Sequence, residues 1–365
     1  MHRRGTSRLI AQVGPLLIVA LYGLELMRAV FAPTVAASPP GQVSAGSLAT
    51  AAWREPAPLR VVDMSVLTYD LPVAGRVDHL VAVNQGERER ADSVGLNRLF
   101  PALDRLSSVR NPVNPEELIG YRPNAVFVSS DWIDPLREFG FPGLIELTYD
   151  PRSSQETKLA TWRLLGKITR GADRAGHIAA AYQARREELR TSLREQSVAR
   201  AAILVGGPGT WSIAGDGYYL NQVIAAAKGV NVAGSDFVYP RVDLEQLAAL
   251  DPPVIFLNSQ PGDHAVPLDL YRNPYWQVLR AVRERRVYKL PRFAVFLGPA
   301  EEPLFLRWVA EVLHPSLPAR FRSEYRSAYE TTYGYTPTER EIDSMIHVDA
   351  NAGSADYQRF LSAAG

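Results

Sequence analysis

Asn114-Pro-Glu-Glu-Leu-Ile-Gly-Tyr-Arg-Pro-Asn-Ala-Val-Phe-Val-Ser-Ser130 and Asp243-Leu-Glu-Gln-Leu-Ala-Ala-Leu-Asp-Pro-Pro-Val-Ile-Phe-Leu-Asn-Ser259 are one short block written twice. They align without a gap: Asn114 falls on Asp243, Glu116 on Glu245, Leu118 on Leu247, Pro123 on Pro252, Phe127 on Phe256 and Ser130 on Ser259. Each reads as a capped helix of about two turns, a proline stop, a buried apolar strand and a small polar loop. Two α/β units built alike predict two lobes, and the groove between two lobes is a natural small-molecule site.

The chain has 365 residues, more than one domain usually holds, so two domains are expected. Apolar residues make up 46% and charged residues 22%, ordinary values for a folded protein able to bury a core in each lobe. A net charge of +1 leaves no electrostatic footprint for nucleic acid. No cysteine is present, which removes disulfides, thiolate metal sites, thiol nucleophiles and a lipid-modified N-terminal cysteine together.

The N-terminus reads as an export signal. Arg3, Arg4 and Arg8 form a basic start, Leu9 to Leu24 an apolar run, and the small residues Val35 and Ala37 suit cleavage before Ser38. The run is broken by Gln12, Gly14 and Pro15, so a cleaved signal over 1–37 is preferred to a retained anchor. Removing residues 1–37 takes away four Arg and one Glu, changing 40 − 39 to 36 − 38, a net charge of −2. The reading is therefore a periplasmic protein cleaved near Ala37, with a flexible leader over 38–58 rich in Ser, Ala, Gly and Pro.

Beyond the leader, strands alternate with helices, which argues for mostly parallel sheets. Leu59 to Met64, His79 to Val83, Ala125 to Val128 and Leu144 to Leu147 are predicted strands of an N-terminal α/β lobe, 59–153. Helices are predicted over Gln155 to Lys167 and from about Asp173 to Gln196, forming a helical linker, 154–198. The longer helix carries Ala175, Ile178, Ala179, Tyr182, Leu189 and Leu193 on one stripe. Its charged run Arg185, Arg186, Glu187, Glu188 and Arg190 reads as a solvated face. A C-terminal α/β lobe, 199–347, would hold strands at Ala201 to Val205, Val254 to Leu257 and Arg286 to Leu290. Its helices would span Asn221 to Lys228, Tyr275 to Arg285 and Glu339 to Ile346. The final stretch, 348–365, is weakly patterned and reads as a fraying tail.

Familiar catalytic signatures are missing. The histidines at 2, 79, 177, 264, 314 and 347 are never at metal-ligand spacing. Gly206-Gly-Pro-Gly-Thr210 follows a strand but lacks the Gly-Lys-Ser/Thr ending of a phosphate loop, so it reads as a turn. No Gly-x-Ser-x-Gly nucleophile elbow occurs. What recurs instead, where chains leave the strands, is aromatic and hydroxyl-bearing chemistry. In open α/β sheets that edge is where ligands sit. The candidate ligand residues are Tyr69, Trp132 and Tyr149 in the first half, and Trp211, Tyr218, Tyr219, Tyr239, Arg241 and Arg292 in the second. Tyr and Trp offer flat apolar area with a polar tip, and Arg clamps carboxylate-type oxygens. That mix suits a large, flat or chelate-like ligand.

The repeated blocks resemble the periplasmic-binding fold of ABC importers for siderophores, haem and cobalamin. So do Leu164-Leu-Gly-Lys-Ile168 before a long helix, the segment Tyr219 to Val232 with its Lys-Gly-Val-Asn-Val ending, and Trp276 to Tyr288 with its Arg-Val-Tyr ending. The resemblance covers roughly Leu59 to Val312, and the tail with Tyr333-Gly-Tyr335 is similar to a less-characterised branch. It implies two Rossmann-like lobes with mostly parallel sheets, joined by a single long α-helix, with the ligand cleft between them and only modest closure. It implies a monomer without enzymatic activity or cofactor, which hands a metal chelate or tetrapyrrole-type ligand, siderophore-like by preference, to an inner-membrane ABC permease. It also implies one acidic permease-docking residue per lobe, for which Glu87 or Glu89 and Asp216 are the candidates; the family usually has Glu where Asp216 stands. An exported α/β enzyme using the same cleft, or a ligand-sensing signalling subunit, are the alternative readings.

Overall fold

The computed structural model describes residues 58–361 apart from 66–76, 94, 111–112, 129–135, 142, 147–154, 208, 219, 235–237, 260–263 and 294–297. The predicted export signal, 1–37, and most of the predicted leader, 38–58, lie outside the described residues. Among the described residues no helix is long and apolar enough to cross a membrane.

The first sheet has strands β1 (Val61–Met64), β2 (Leu80–Asn84), β3 (Ser107–Val109), β4 (Ala125–Val128) and β5 (Leu144–Glu146), in the order β3-β2-β1-β4-β5. Every pairing is parallel. A parallel sheet is covered on both faces, so its strands must be apolar on both sides. Val61, Leu80, Val83, Ala125 and Phe127 pack into one core, and Val62, Met64, Ala82, Val126 and Val128 into another on the opposite face. Strand order reverses between β1 and β4, the switch point whose carboxyl edge opens a crevice. Helix α1 (Gln85–Ser93) follows β2. Helix α2 (Pro115–Gly120) precedes β4 and is the helix of the first repeated block, with the Asn114 side chain accepting from the Glu116 amide.

Two helices connect this sheet to the next, α3 (Gln155–Ile168) and α4 (Ala172–Ser192). They meet where Gly166 faces Ala175, so closely that a Cβ at position 166 would lie 2.4 Å from the Ala175 Cβ. Leu159, Trp162, Ala175, Ile178, Ala179 and Tyr182 form a core belonging to the bridge itself. Leu165 and Ile168 of α3 enter the first lobe's core, while Leu189 near the end of α4 enters the second's. The predicted apolar stripe is buried throughout. The charged run is not wholly solvated: Arg186 reaches Glu302, and Arg185 lies within 3.4 Å of the Thr331 hydroxyl.

The second sheet contains β6 (Ala199–Val205), β7 (Ser212–Ile213), β8 (Gly229–Asn231), β9 (Ile255–Leu257) and β10 (Val287–Lys289), ordered β10-β9-β6-β7 with β8 also on β6. All pairings are parallel except β6 with β7. Helix α5 (Leu220–Ala226) precedes β8, and α6 (Leu244–Leu250) precedes β9 as the second block requires. Asp243 and Gln246 close a reciprocal capping box around its first turn. Both copies thus place a capped helix and then a strand beside the central strand of their sheet. Between β9 and β10 lie α7 (Pro267–Arg272) and, in place of one long helix over Tyr275 to Arg285, a 3₁₀ turn (Pro274–Val278) and the short α8 (Arg280–Arg283).

After β10 the chain builds α9 (Glu301–Leu313), α10 (Phe321–Tyr333), α11 (Glu339–Met345) and α12 (Val348–Asn351). The expected fraying tail is a correction: Asn351, Tyr357 and Phe360 are buried, and the Tyr357 ring lies 6.3 Å from Trp308 in the second lobe's core. Three aromatic or amide anchors in a short stretch outweigh its lack of period.

Candidate functional site

The carboxyl edge of the first sheet carries buried polar groups. Asp63 accepts from the Ser65 amide at 2.8 Å and the Ser65 hydroxyl at 2.7 Å, and Asn84 accepts from the Gly86 amide at the start of α1. Burial pushes the Asp63 carboxyl up to about 7, opposed by the Ser65 hydrogen bonds and assisted by Glu87. Tyr69, Trp132 and Tyr149, expected beyond these strands, lie outside the described residues, as does Tyr219.

At the second sheet the described candidates fall into separate groups. Tyr218 is buried, its hydroxyl 3.4 Å from Asn258 Oδ1 at the end of β9 and its ring 5.0 Å from Tyr239. Trp211 and Arg241 line a different cavity on the opposite face, described below. The Gly206-Gly-Pro-Gly-Thr210 segment is a turn, with Gly206 at φ 94° and its missing Cβ replaced by a close approach to the Thr210 carbonyl. Glu89 and Asp216 are exposed, Glu87 half-buried.

Arg292 stands in a cavity of about 570 Å³ whose wall is shared between the lobes. The first lobe gives Asp92, Gly95, Arg98 and Leu99; the second gives Arg292 and, from α10 onward, Tyr325, Tyr329, Tyr335, Arg340, Glu341 and His347. Three arginines meet two carboxylates here, and the pairing is uneven. Glu341 takes hydrogen bonds from the Tyr335 hydroxyl (2.5 Å), the Thr338 amide (2.7 Å) and hydroxyl (2.8 Å), and Arg98 (3.2 Å). Asp92 is met by Arg88 and Asn97. Both carboxylates are therefore already engaged, whereas among the described residues the Arg292 and Arg340 guanidiniums have no anionic partner. The cavity presents unspent positive charge.

Tyr325 and Tyr329 of its wall belong to an aromatic ladder. Tyr325, Tyr329 and Tyr333 recur at every fourth position of α10, with ring centroids 4.5 Å and 5.0 Å apart, and Phe293 stacks on Tyr325 at 6.0 Å. The Tyr333 hydroxyl donates to the buried Glu301 carboxyl at 2.8 Å, while its ring meets Phe100 of the first lobe at 5.8 Å. Burial first, and the Glu301 charge next, hold the Tyr329 and Tyr333 phenols well above their ordinary value, so both stay protonated. Burial, with Lys289 and Arg292 nearby, pushes His347 down to about 4, so its ring is neutral at pH 7. The wall thus offers hydrogen-bond donors and fixed positive charge, a set suited to an oxygen-rich anion.

Arg292 was legible from the strand-edge rule. Arg98, Tyr325, Tyr329, Tyr335, Arg340 and His347 were not, because they come from helices and the turns between helices rather than from strand ends. The spacing Tyr325-x3-Tyr329-x3-Tyr333 was the available signal.

A family model described as periplasmic binding protein matches residues 69–293. The Fe(3+)-citrate-binding protein YfmC of Bacillus subtilis (strain 168) is 24% identical over 147 residues, 40% of this chain and 44% of that relative's length. Among solved structures, a periplasmic solute binding protein from Veillonella parvula DSM 2008 superposes with a TM-score of 0.67 at 22% identity, over 80% of this chain and 93% of that one. The molybdate periplasmic binding protein MolA of Haemophilus influenzae, bound to molybdate, gives a TM-score of 0.60 at 19% identity, over 78% and 96%.

Proposed function

The chain belongs to the periplasmic binding protein family, and from that premise we propose that it is an exported solute-binding protein for an anionic metal chelate, delivered to an inner-membrane ABC permease. Proteins of this family bind small molecules and work with ABC transporters. The observation that carries the finer reading is the pair of unpartnered guanidiniums, Arg292 and Arg340, in a cavity walled by both lobes whose own carboxylates are engaged. The buried Tyr329 and Tyr333 phenols keep their protons, which makes them poor ligands for a bare ferric ion, so the metal would arrive already wrapped in oxygen donors. Ferric citrate, bound by the Bacillus relative, and molybdate, bound by the Haemophilus protein, both present oxygen-rich anionic surfaces, and the cavity suits that class. Siderophore-type carboxylates fit the same description; a tetrapyrrole would use the aromatic ladder more than the arginines. Binding would draw on charge-assisted hydrogen bonds across the lobes, with no covalent step. We read Glu87 or Glu89 and Asp216 as permease contacts and the protein as a monomer.

The test is isothermal titration calorimetry of the mature chain with ferric citrate, metal-free citrate, haem and cobalamin. Ferric citrate should bind saturably. Each charge-assisted hydrogen bond contributes about 1.5–3 kcal/mol, so Arg292→Ala with Arg340→Ala should weaken it by about a hundredfold or more. Binding of haem or cobalamin alone, or ferric-citrate affinity unchanged in the double variant, would overturn the anionic-chelate reading.

A further inference from the structure

A second cavity, of about 640 Å³, lies wholly within the second lobe and shares no lining residue with the first. It opens among the turn after β6, the start of α6 and the α7 segment. We propose that it is a separate binding site for a neutral saccharide ring, stacked flat on tryptophan and held by hydrogen bonds to its hydroxyls. This inference does not rest on the chelate reading.

The aromatic part is a corner. Trp211 and Trp276 stand with ring centroids 5.3 Å apart at an interplanar angle of 67°, both half-buried. They touch each other, so nothing flat can slip between them, but both line the cavity. A pyranose ring has one face of C–H groups that packs on an aromatic surface, while its hydroxyls spread around the rim.

The polar part is preorganised in an unusual way. Four side chains on the wall are each fixed through one atom by a local backbone hydrogen bond, leaving the other atom open. Asp243 accepts from the Gln246 amide through Oδ1, and Gln246 accepts from the Asp243 amide through Oε1. Asn273 accepts from the Tyr275 amide through Oδ1, and Asp269 accepts from the Val266 amide through Oδ2. What remains is two amide –NH2 groups as donors and two carboxylate oxygens as acceptors, with no other partner among the described residues. Arg241 adds an exposed guanidinium with no side-chain partner there.

Charge decides the ligand class. Asp243 and Asp269 against Arg241 leave the wall mildly negative, which disfavours an anion, while the guanidinium disfavours a cation. A hydroxyl both donates and accepts, so a polyol can use open donors and acceptors together; a purely anionic ligand leaves the carboxylates opposed to it. The first cavity, with its carboxylates engaged and its arginines open, has the reverse preference.

The experiment is calorimetric titration of the full mature chain with glucose, maltotriose, N-acetylglucosamine and diacetylchitobiose. At least one should bind saturably. Arg241→Ala, at an exposed and unpaired side chain, and Trp276→Ala should each weaken that binding about tenfold or more, while thermal midpoint in the arginine variant and ferric-citrate titration stay as in the parent. Equal affinity for monomer and oligomer identifies a free sugar as the ligand; a clear preference for the oligomer identifies a glycan unit. No saturable binding by any of the four, or binding indifferent to both substitutions, overturns the proposal, and the ferric-citrate arm reports separately on the first cavity.

Discussion

Replacing Glu302 with leucine should cost about 3–5 kcal/mol of stability, the range for removing one partner of a buried ion pair. Glu302 opens α9 in the second lobe, and its carboxylate is met by Lys158 of α3 at 2.6 Å, by Arg186 of α4, and by the Tyr182 hydroxyl at 2.9 Å. The Lys158 side chain is only 10% exposed and Glu302 9%, so the stranded ammonium cannot reach water; Arg186, at 25%, can partly rehydrate. The cost therefore comes mainly from Lys158. Urea denaturation followed by far-UV circular dichroism measures it: with a slope of about 3 kcal/mol/M the midpoint should fall by about 1 M or more. The control is Lys158→Met combined with Glu302→Leu, which removes both charges and should recover most of the loss, because an apolar pair of similar volume often replaces a buried ion pair at little cost. A loss under about 1 kcal/mol in the single variant, or a double variant no better than the single, would refute the claim that this contact locks the bridge to the second lobe.

Gly166→Ala should destabilise, against the usual gain of about 1 kcal/mol for Gly to Ala within a helix, because the new methyl would lie 2.4 Å from the Ala175 Cβ and pry α3 from α4; a raised thermal midpoint would contradict this. Stability should fall as pH rises from about 4.5 to 7. Burial pushes the Asp63, Glu301 and Glu311 carboxyls up to about 7 from ordinary values of 3.8 and 4.5, so their contribution is fully present below the ordinary value and is lost as they ionise within the fold. His347, pushed down from 6.5 to about 4, works the other way and loses stability as pH falls through that interval, so three groups oppose one. Glu301→Gln should flatten the urea midpoint against pH; an unchanged slope would remove Glu301 from the account.

The repeated block was readable because its information is local. Asn114 and Asp243 cap their own helices, prolines stop them, and four apolar residues can only be a buried strand. The strands β3, β7 and β8 passed unnoticed because two or three residues carry no period. Helix α9 is buried along its whole length although Glu301, Glu302, Arg307 and Glu311 interrupt its apolar residues, and α10 sets its tyrosines among Arg, Ser, Glu and Thr, so neither announced which lobe or cavity it would face. The site divides on the same line. Arg292 follows a strand and was predicted; Tyr325, Tyr329 and Arg340 reach the cavity only because α10 and α11 fold back over the strand edge, a tertiary event no local pattern encodes.

Among the described residues the lobes are fastened at two places. One fastening is the helical bridge with its own core; the other, remote in the chain, joins Phe100 to Tyr333 and Arg98 to Glu341. A body pinned at a single point can tumble freely, but one pinned at two keeps a single easy rotation, about the line through both pins. Any change of shape on binding would then be a small torsion between two faces instead of the snap of a jaw.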